Sequence, residues 1–402
     1  MSWEKIKIGD CCEITSSKRI FFSEYVESGV PFYRSKEIIE SANGQEISEP
    51  LFISQEKYDE IKRKFGVPQS GDMLLTSVGT IGIPYVVKED DLFYFKDGNL
   101  TWFREFDNRL NSQYLYYWVK SSEGQSVLNN TTIGSSQKAL TIASLKGLEI
   151  PCPSIGGQKR IIEILAGYDD LIENNQKQIK LLEEAAQRLY KEWFVDLRFP
   201  GHETTPIVDG IPQGWERMVL SEVTSVLKRG ISPKYSDNGK YSVINQKCIR
   251  SSIMDISESR RQEKEYAPTL NLQDSDTVIC STGTGTLGRV GRVYGDYPNT
   301  TFDSHVTLVR AKENPNYIYH VVKSQQEYLM GMGRGSTNQQ ELYRDVIERL
   351  VVLCPSQDIL LKADRVLNAI HCKIKAVYLQ NNLLVESRDR LLPKLMSGEI
   401  EV

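Results

Sequence analysis

Six blocks of this sequence occur twice in one order, which restricts the chain to folds built from two equivalent halves. Trp3–Asp10 (WEKIKIGD) matches Trp215–Glu222 (WERMVLSE), and Gly29–Ile38 resembles Gly239–Ile249. Asp72–Gly82 (DMLLTSVGTIG) resembles Asp276–Gly288 (DTVICSTGTGTLG), with two residues inserted. Asp97–Arg104 matches Asp303–Arg310, Asn111–Ser121 matches Asn314–Ser324, and Gly134–Ser154 matches Gly335–Ser356. The offset drifts only from 212 to 201 residues. Solenoid repeats have periods of about 20–50 residues, so each copy here is a domain.

Each half ends in a helical pattern. From Gln158, apolar positions recur at Ile161, Leu165, Tyr168, Ile172, Ile179, Leu182, Ala186, Leu189 and Trp193, with Asn175 in the missing slot. From Ile359 the same alternating four-three spacing runs through Ala363, Leu367, Ile370, Ile374, Val377, Leu384, Leu391 and Leu395, with Asn381 and Arg388 in the seam. A 3.5-residue apolar period predicts a coiled coil, and a seam Asn fixes its register. Pro153 and Pro355 stand just before the two helices, as breakers do. FPGHETTP (Phe199–Pro206) and IPQGW (Ile211–Trp215) link the halves.

Two similar halves with equivalent helices imply a pseudo-twofold arrangement, with antiparallel helices holding the globular domains at opposite ends. About 38 residues at 1.5 Å each give a rod of roughly 57 Å. Within the globular parts, Met73–Val78, Gly82–Val87, Leu100–Arg104, Thr277–Thr282, Gly288–Tyr294 and Val306–Arg310 read as strands. Tyr114–Leu128 and Tyr317–Met330 read as helices. The expected fold class is α+β: two similar mixed α/β domains and two long antiparallel coiled-coil helices.

Composition narrows the function. The chain is 40% hydrophobic and 25% charged, as globular chains are, and its net charge is −4. Residues 1–150 carry 17 Lys+Arg against 21 Asp+Glu, and residues 210–356 carry 18 against 16. Neither half is a basic domain, so any nucleic-acid contact is local or shared with a partner. Seven cysteines with no C-x-x-C exclude a disulfide framework and a zinc ribbon, and the four histidines have no metal-type spacing. A charged start and the lack of a long apolar run point to a cytoplasmic chain without membrane spans.

Four features are set aside. Gly283, Gly285 and Gly288 spell G-x-G-x-x-G, but a dinucleotide site needs a helix next, and RVGRVY is strand-like. A tight glycine turn accounts for it better. Asn314-Pro315-Asn316-Tyr317 is near the N-P-P-Y loop of amino-methyltransferases, but its third position is wrong and its counterpart, Asn111-Ser112-Gln113-Tyr114, is no such loop. A helix start, with Asn as cap and Pro in the first turn, fits instead. Cys152 and Cys354 share a place in the repeat beside proline and read as apolar packing. His305 reads as a surface or packed histidine.

The segments LEIPCPSIGGQKRIIEIL, LIENNQKQIKLLEEAAQRLYKEWFVDLRFPG and LLPKLMSGEIEV resemble the specificity subunits of Type I restriction–modification systems, and the resemblance spans essentially the whole chain. It implies target-recognition domains at 1–155 and 207–356, conserved helices at 156–198 and 357–402 with the tail, and a linker at 199–214. It also implies a non-catalytic subunit whose two domains each read half of a split sequence in double-stranded DNA, while the helix pair sets the gap. The implied partners are two modification (methyltransferase) subunits and restriction (translocase) subunits. No cofactor is expected in this chain; S-adenosylmethionine, ATP and Mg would sit in the partners. A nucleotide- or methyl-donor enzyme, and an adaptor whose end domains bind protein, are the alternatives.

Candidate DNA contacts are loops where basic, amide and hydroxyl side chains cluster, since amides read adenine and Arg or Lys read guanine. The first pair of loops gives Ser136, Gln137 and Lys138, with Arg334, Thr337, Asn338 and Gln339. The strand-turn segments give Ser77 and Thr80, with Ser281, Thr284 and Arg289. Lys18-Arg19 and Lys228-Arg229 suit phosphates. Tyr190, Trp193 and Phe194 are expected to face outward as a partner-docking cluster, or to pack with Phe199 on a recognition domain.

Overall fold

The computed structural model describes residues 3–45, 47–134, 138–283, 285–335 and 340–402. It forms two compact units, Met1–Gln176 with Gln380–Val402, and Lys177–Leu379. Each unit holds one copy of the repeat and a stretch of both long helices.

In the first unit a four-stranded antiparallel sheet runs in the order Glu13–Thr15, Leu100–Arg104, Met73–Thr76, Pro84–Val86. Alternation along Met73–Thr76 assigns its side chains to two cores. Met73 and Leu75 pack with Phe103, Tyr114, Leu115 and Trp118, while Leu74 packs with Ile38, Phe95 and Trp102. A second sheet orders Tyr25–Val26, Leu51–Ile53, Val30–Tyr33 and Tyr94–Phe95, its last pair parallel. Glu4–Lys7 pairs with Glu149–Cys152 and brings the two ends of the domain together.

The second unit repeats this plan. Thr224–Arg229, Val306–Ala311, Thr277–Cys280 and Val290–Arg292 form its four-stranded sheet in the same relative order. Val278 and Cys280 face one core and Ile279 the other. Arg260–Gln262, Tyr241–Ile244 and Thr300–Phe302 form the second sheet, again with a parallel pair. Glu216–Val219 and Val351–Cys354 close the domain. Asp72 and Asp276 occupy one position in both copies. Asp72 accepts from Trp102 Nε1 at 2.8 Å, and Asp276 holds Arg310 at 2.7 Å. Burial pushes both carboxyls upward despite these donors.

Both expected mid-domain helices are broken in two. Ser112–Lys120 gives way to Ser122–Thr131, and Pro315–Ser324 to Gln326–Gly331. At the first break Ser121 is extended (ψ 155°), donates to Trp118 O and caps Gly124 N. A Cβ on Gly124 would lie 2.0 Å from Trp118 O, so only glycine fits the corner. The cap at Asn111 forms as expected, its side chain accepting from Gln113 N at 2.8 Å. Asn314 departs from expectation: it is left-handed (φ 52°) and makes no side-chain cap, so Pro315 alone marks that helix start.

The long helices are Ile155–Tyr190, of 36 residues, and Gln357–Ser397, of 41. In the first unit their pairing is antiparallel. Asp169 meets Arg388 at 2.7 Å, Asn381 donates to Ile172 O, and Asn175 donates to Gln380, both at 3.3 Å. Ile161, Leu165, Leu392 and Leu395 are buried in the first domain's core, so the stripe grips its own domain as well as the other helix. In the second unit Ile374, with Ile179, Leu182 and Ile370 around it, packs on Ile253 and Tyr294.

The expected outward cluster at the end of the first helix is turned inward. Phe194 and Tyr190 are buried, and Trp193 is partly buried against the same core. Phe194 meets Tyr317 at 4.8 Å, and Phe199 meets Trp215 at 4.8 Å. Tyr190 lies one four-residue step beyond the buried Ala186 on the α-helix, and Lys191–Val195 is a π-helical turn whose extra residue takes Phe194 off the heptad extrapolation.

Candidate nucleic-acid interface

Several of the described candidate residues lie near the ends of the central strands. In the first domain, Ile133 and Ala139 exchange reciprocal backbone bonds, both 2.9 Å. Leu140 N then donates to Ser77 O at 2.9 Å, so Ala139 and Leu140 run beside the start of the Ser77–Thr80 turn. The second domain repeats the arrangement. Arg334 and Glu341 exchange backbone bonds of 3.0 and 2.9 Å, and Leu342 N donates to Ser281 O at 2.8 Å. Arg229 adds an ion pair to Glu341 and a bond to Ser304 O, so three expected segments meet there. Gly283, Gly285 and Gly288 all have positive φ in the connection from Thr277–Cys280 to Val290–Arg292, and a strand follows.

Lys138, Thr80, Lys228 and Arg334 are exposed, and Arg289 is half-buried. Arg334 lies 5.5 Å from the Tyr343 ring centre. Ser136, Gln137, Thr284, Thr337, Asn338 and Gln339 lie outside the described residues.

Two expected readers are corrected. Ser77 is buried and lies 2.7 Å from the Thr101 hydroxyl, while Ser281 is buried and lies 2.6 Å from that of Thr307. Each hydroxyl couples neighbouring strands beneath the loops and does not reach the surface. Alternation explains this: both serines continue the strand register of residues that face inward.

Lys18 and Arg19 depart from their counterparts. Arg19 pairs with Asp97 at 2.9 Å, and the Lys18 ammonium sits 4.7 Å from the Phe65 ring centre. This places Lys18 on a groove of about 360 Å³ whose lining includes Thr15, Ser16, Arg63, Lys64 and Arg104. Arg104 is tied to Glu13 at 2.6 Å, and Lys64 to Glu60 at 2.7 Å. Sequence reasoning missed Arg63 and Lys64, because basic residues in a last helical turn before glycine read as macrodipole charges. It also missed Arg260, whose guanidinium lies 3.7 Å from the Tyr235 ring centre, and Arg261, which donates to Ser242 at 3.3 Å. The sole signal was the pair of arginines in SESRRQEK.

The remaining reactive types are quiet. Cys152 is buried beside Gln158, and burial pushes its thiol up to about 12. His305 Nδ1 lies 2.6 Å from the Thr282 hydroxyl. No helix among the described residues is long and apolar enough to cross a membrane.

The family model for the Type I restriction modification DNA specificity domain matches residues 1–184 and again 212–359. The chain belongs to this family. A specificity chain recognises DNA sequence within a restriction–modification system and is not its catalytic component. It is 28% identical to the Type I restriction enzyme MjaIX specificity subunit of Methanocaldococcus jannaschii, over 100% of this chain and 94% of that one. It is 22% identical to the Type I restriction enzyme HindI specificity subunit of Haemophilus influenzae, over 65% of this chain and 71% of that one. Its fold is similar to the S subunit of a Type-I restriction-modification system from M. genitalium, with a TM-score of 0.57 and 17% identity, covering 98% and 96%.

Proposed function

We propose that each domain of this specificity chain reads one half of a bipartite DNA target, that the helix pair sets the gap, and that the same helices dock two modification subunits. Restriction subunits join that assembly for cleavage. S-adenosylmethionine, ATP and Mg belong to the partners, and the assembly works on cytoplasmic DNA. The observation that carries this reading is the repeated frame with divergent loops. The strand order recurs in both domains, while TIGSSQK in one copy of the sequence corresponds to RGSTNQQ in the other. One scaffold with different polar side chains at equivalent strand ends suits two different half-sites.

Within each domain the work divides by chemistry. Lys138, Arg334, Thr80 and Arg289, with the polar loop residues that the sequence offers beside them, are the side chains assigned to base edges, which carry the sequence code. Lys18 and Arg63 in the first domain, and Lys228, Arg260 and Arg261 in the second, are suited to phosphates, which fix register without reading sequence. Arg19 and Arg229 are partly neutralised by Asp97 and Glu341, and so position neighbours more than they attract DNA.

Co-expression with the modification subunit, followed by sequencing of host DNA for methylated adenine, tests the reading. A motif of two short half-sites with a fixed gap is the expected result. Deleting 207–356 should abolish that motif or make it symmetric. An assembled complex that adds no methylation would favour a protein-binding adaptor.

A further inference from the structure

We infer that Phe21 and Phe22 form a wedge that the first domain inserts between base pairs of its own half-site, while the second domain inserts none. This rests on the DNA-reading assignment above and adds a residue-level device to it.

The geometry begins at Ile20, which is 6% exposed and packs with Val30, Phe32, Tyr58, Ile61 and Tyr94. The next two residues turn the other way: Phe21 is 62% exposed and Phe22 87%. They are held, not trailing. Phe21 N donates to Glu24 Oε2 at 2.8 Å, and Glu24 pairs with Lys57 at 2.8 Å on the helix Gln55–Phe65. The Phe22 ring meets Tyr25 edge-on at 5.6 Å, and Tyr25 meets the buried Phe32 at 5.2 Å. Two adjacent, fixed, solvent-facing phenyl rings call for a partner.

The surroundings say which partner. Lys18 and Arg19 precede the rings by two to four residues, and Lys18 reaches the basic groove beside Phe65, itself 47% exposed. Arg19 is paired with Asp97, but among the described residues Lys18 and Arg63, both on that groove, make no ion pair with a carboxylate, so their charge is available. Aromatic wedges flanked by free cations fit a nucleic-acid duplex. The rings partly unstack a base step while the cations hold the adjoining phosphates.

The second domain lacks the paired phenyl rings, and the next aromatic after its basic pair, Tyr235, is covered by the Arg260 guanidinium at 3.7 Å. After Lys228-Arg229 come Gly230, Ile231 and Ser232. A Cβ on Gly230 would lie 2.2 Å from Phe302 O, and Ile231 N donates to the same oxygen at 3.0 Å. That segment lies flat along the strand Thr300–Phe302 and carries no aromatic side chain.

The test uses the assembled methyltransferase and duplexes with 2-aminopurine placed in turn across both half-sites except at the methylated adenines, which a methyltransferase flips out of the stack in either half. The native complex should raise fluorescence in the first domain's half-site alone. Phe21→Ala with Phe22→Ala should remove that signal and weaken cognate binding about 10- to 100-fold, in line with the cost of losing aromatic–base stacking. Phe22→Tyr should keep both. Lys18→Ala should weaken cognate and unrelated duplexes alike and lower the salt slope by about 1. If the double alanine variant keeps its signal and affinity while Lys18→Ala weakens binding, the wedge is wrong and the DNA-reading assignment stands. If the double variant folds but no longer assembles with modification subunits, the rings are a protein anchor and the wedge is again wrong. Failure of the native complex to prefer any duplex would remove the assignment itself.

Discussion

Ser77 and Ser281 show how one side chain's direction decides between a surface position and a supporting one beneath it. Each is a small hydroxyl in a loop-like context, but each is sealed against a threonine on the neighbouring strand. Replacing Ser77 by Ala leaves the Thr101 hydroxyl short of its closest partner. The expected cost is about 1–2 kcal/mol of stability, with no change in the target sequence. Urea unfolding and methylation-motif sequencing of Ser77→Ala check the two halves of that expectation. A changed base in the motif would return Ser77 to the surface role that the sequence suggested. Arg63 and Lys64 teach the converse. In sequence they resemble helix-end charges, and only the fold places Lys18 on the same groove.

At the scale of elements, period-two and heptad patterns were legible because burial imposes them. The six expected strands correspond to elements of the central sheets, and seam residues Ile161, Leu165, Leu367 and Ile374 are buried. What escaped were departures from ideal geometry, namely the Ser121 corner and the π-helical turn that swings Phe194 inward. Long-range pairings escaped too. His320 and His371 have no suggestive spacing, but their Nε2 atoms lie 3.0 Å apart, and His371 Nδ1 is 2.8 Å from the Tyr294 hydroxyl. Arg292, Lys323, Glu183 and Tyr319 surround them. Burial, then the Arg292 charge, pushes His320 down to about 3 and His371 down to about 2. Unfolded histidine titrates near 6.5, so below that pH the unfolded chain takes up protons that the folded one refuses. Stability of the second unit should therefore fall on acidification, by about 2 kcal/mol between pH 6.5 and 5.5 for the two imidazoles together. The raised carboxyl of Glu183 acts in the opposite sense at lower pH. Urea midpoints across that window, compared with those of His320→Gln and His371→Gln, measure the effect. Equal pH slopes in all three proteins would show that the pair does not control it.

At the scale of the molecule, the duplication carries the argument that the recognition domains are exchangeable. The first domain closes on itself through Glu4–Lys7 and Glu149–Cys152, and its chain leaves by way of Pro153 into the first long helix. Its grip on the helices comes from the core that joins Tyr114, Leu115 and Trp118 to Ile161, Leu165, Leu392 and Leu395. A foreign recognition domain replacing residues 1–150 can therefore fold on its own, provided that its counterparts of those three residues offer matching volume; a Leu-to-Ala-sized gap there would cost about 2–5 kcal/mol. The second domain and its loops keep their contacts in such a hybrid, and the two helices keep their lengths. The methylated motif of the hybrid should thus change in one half-site while the other half-site and the gap stay as they were. Sequencing methylated adenines in cells expressing the hybrid with the modification subunit reads all three quantities at once. A change in both half-sites would mean that the domains read DNA jointly, and a change in the gap alone would mean that the helix pair does not set it.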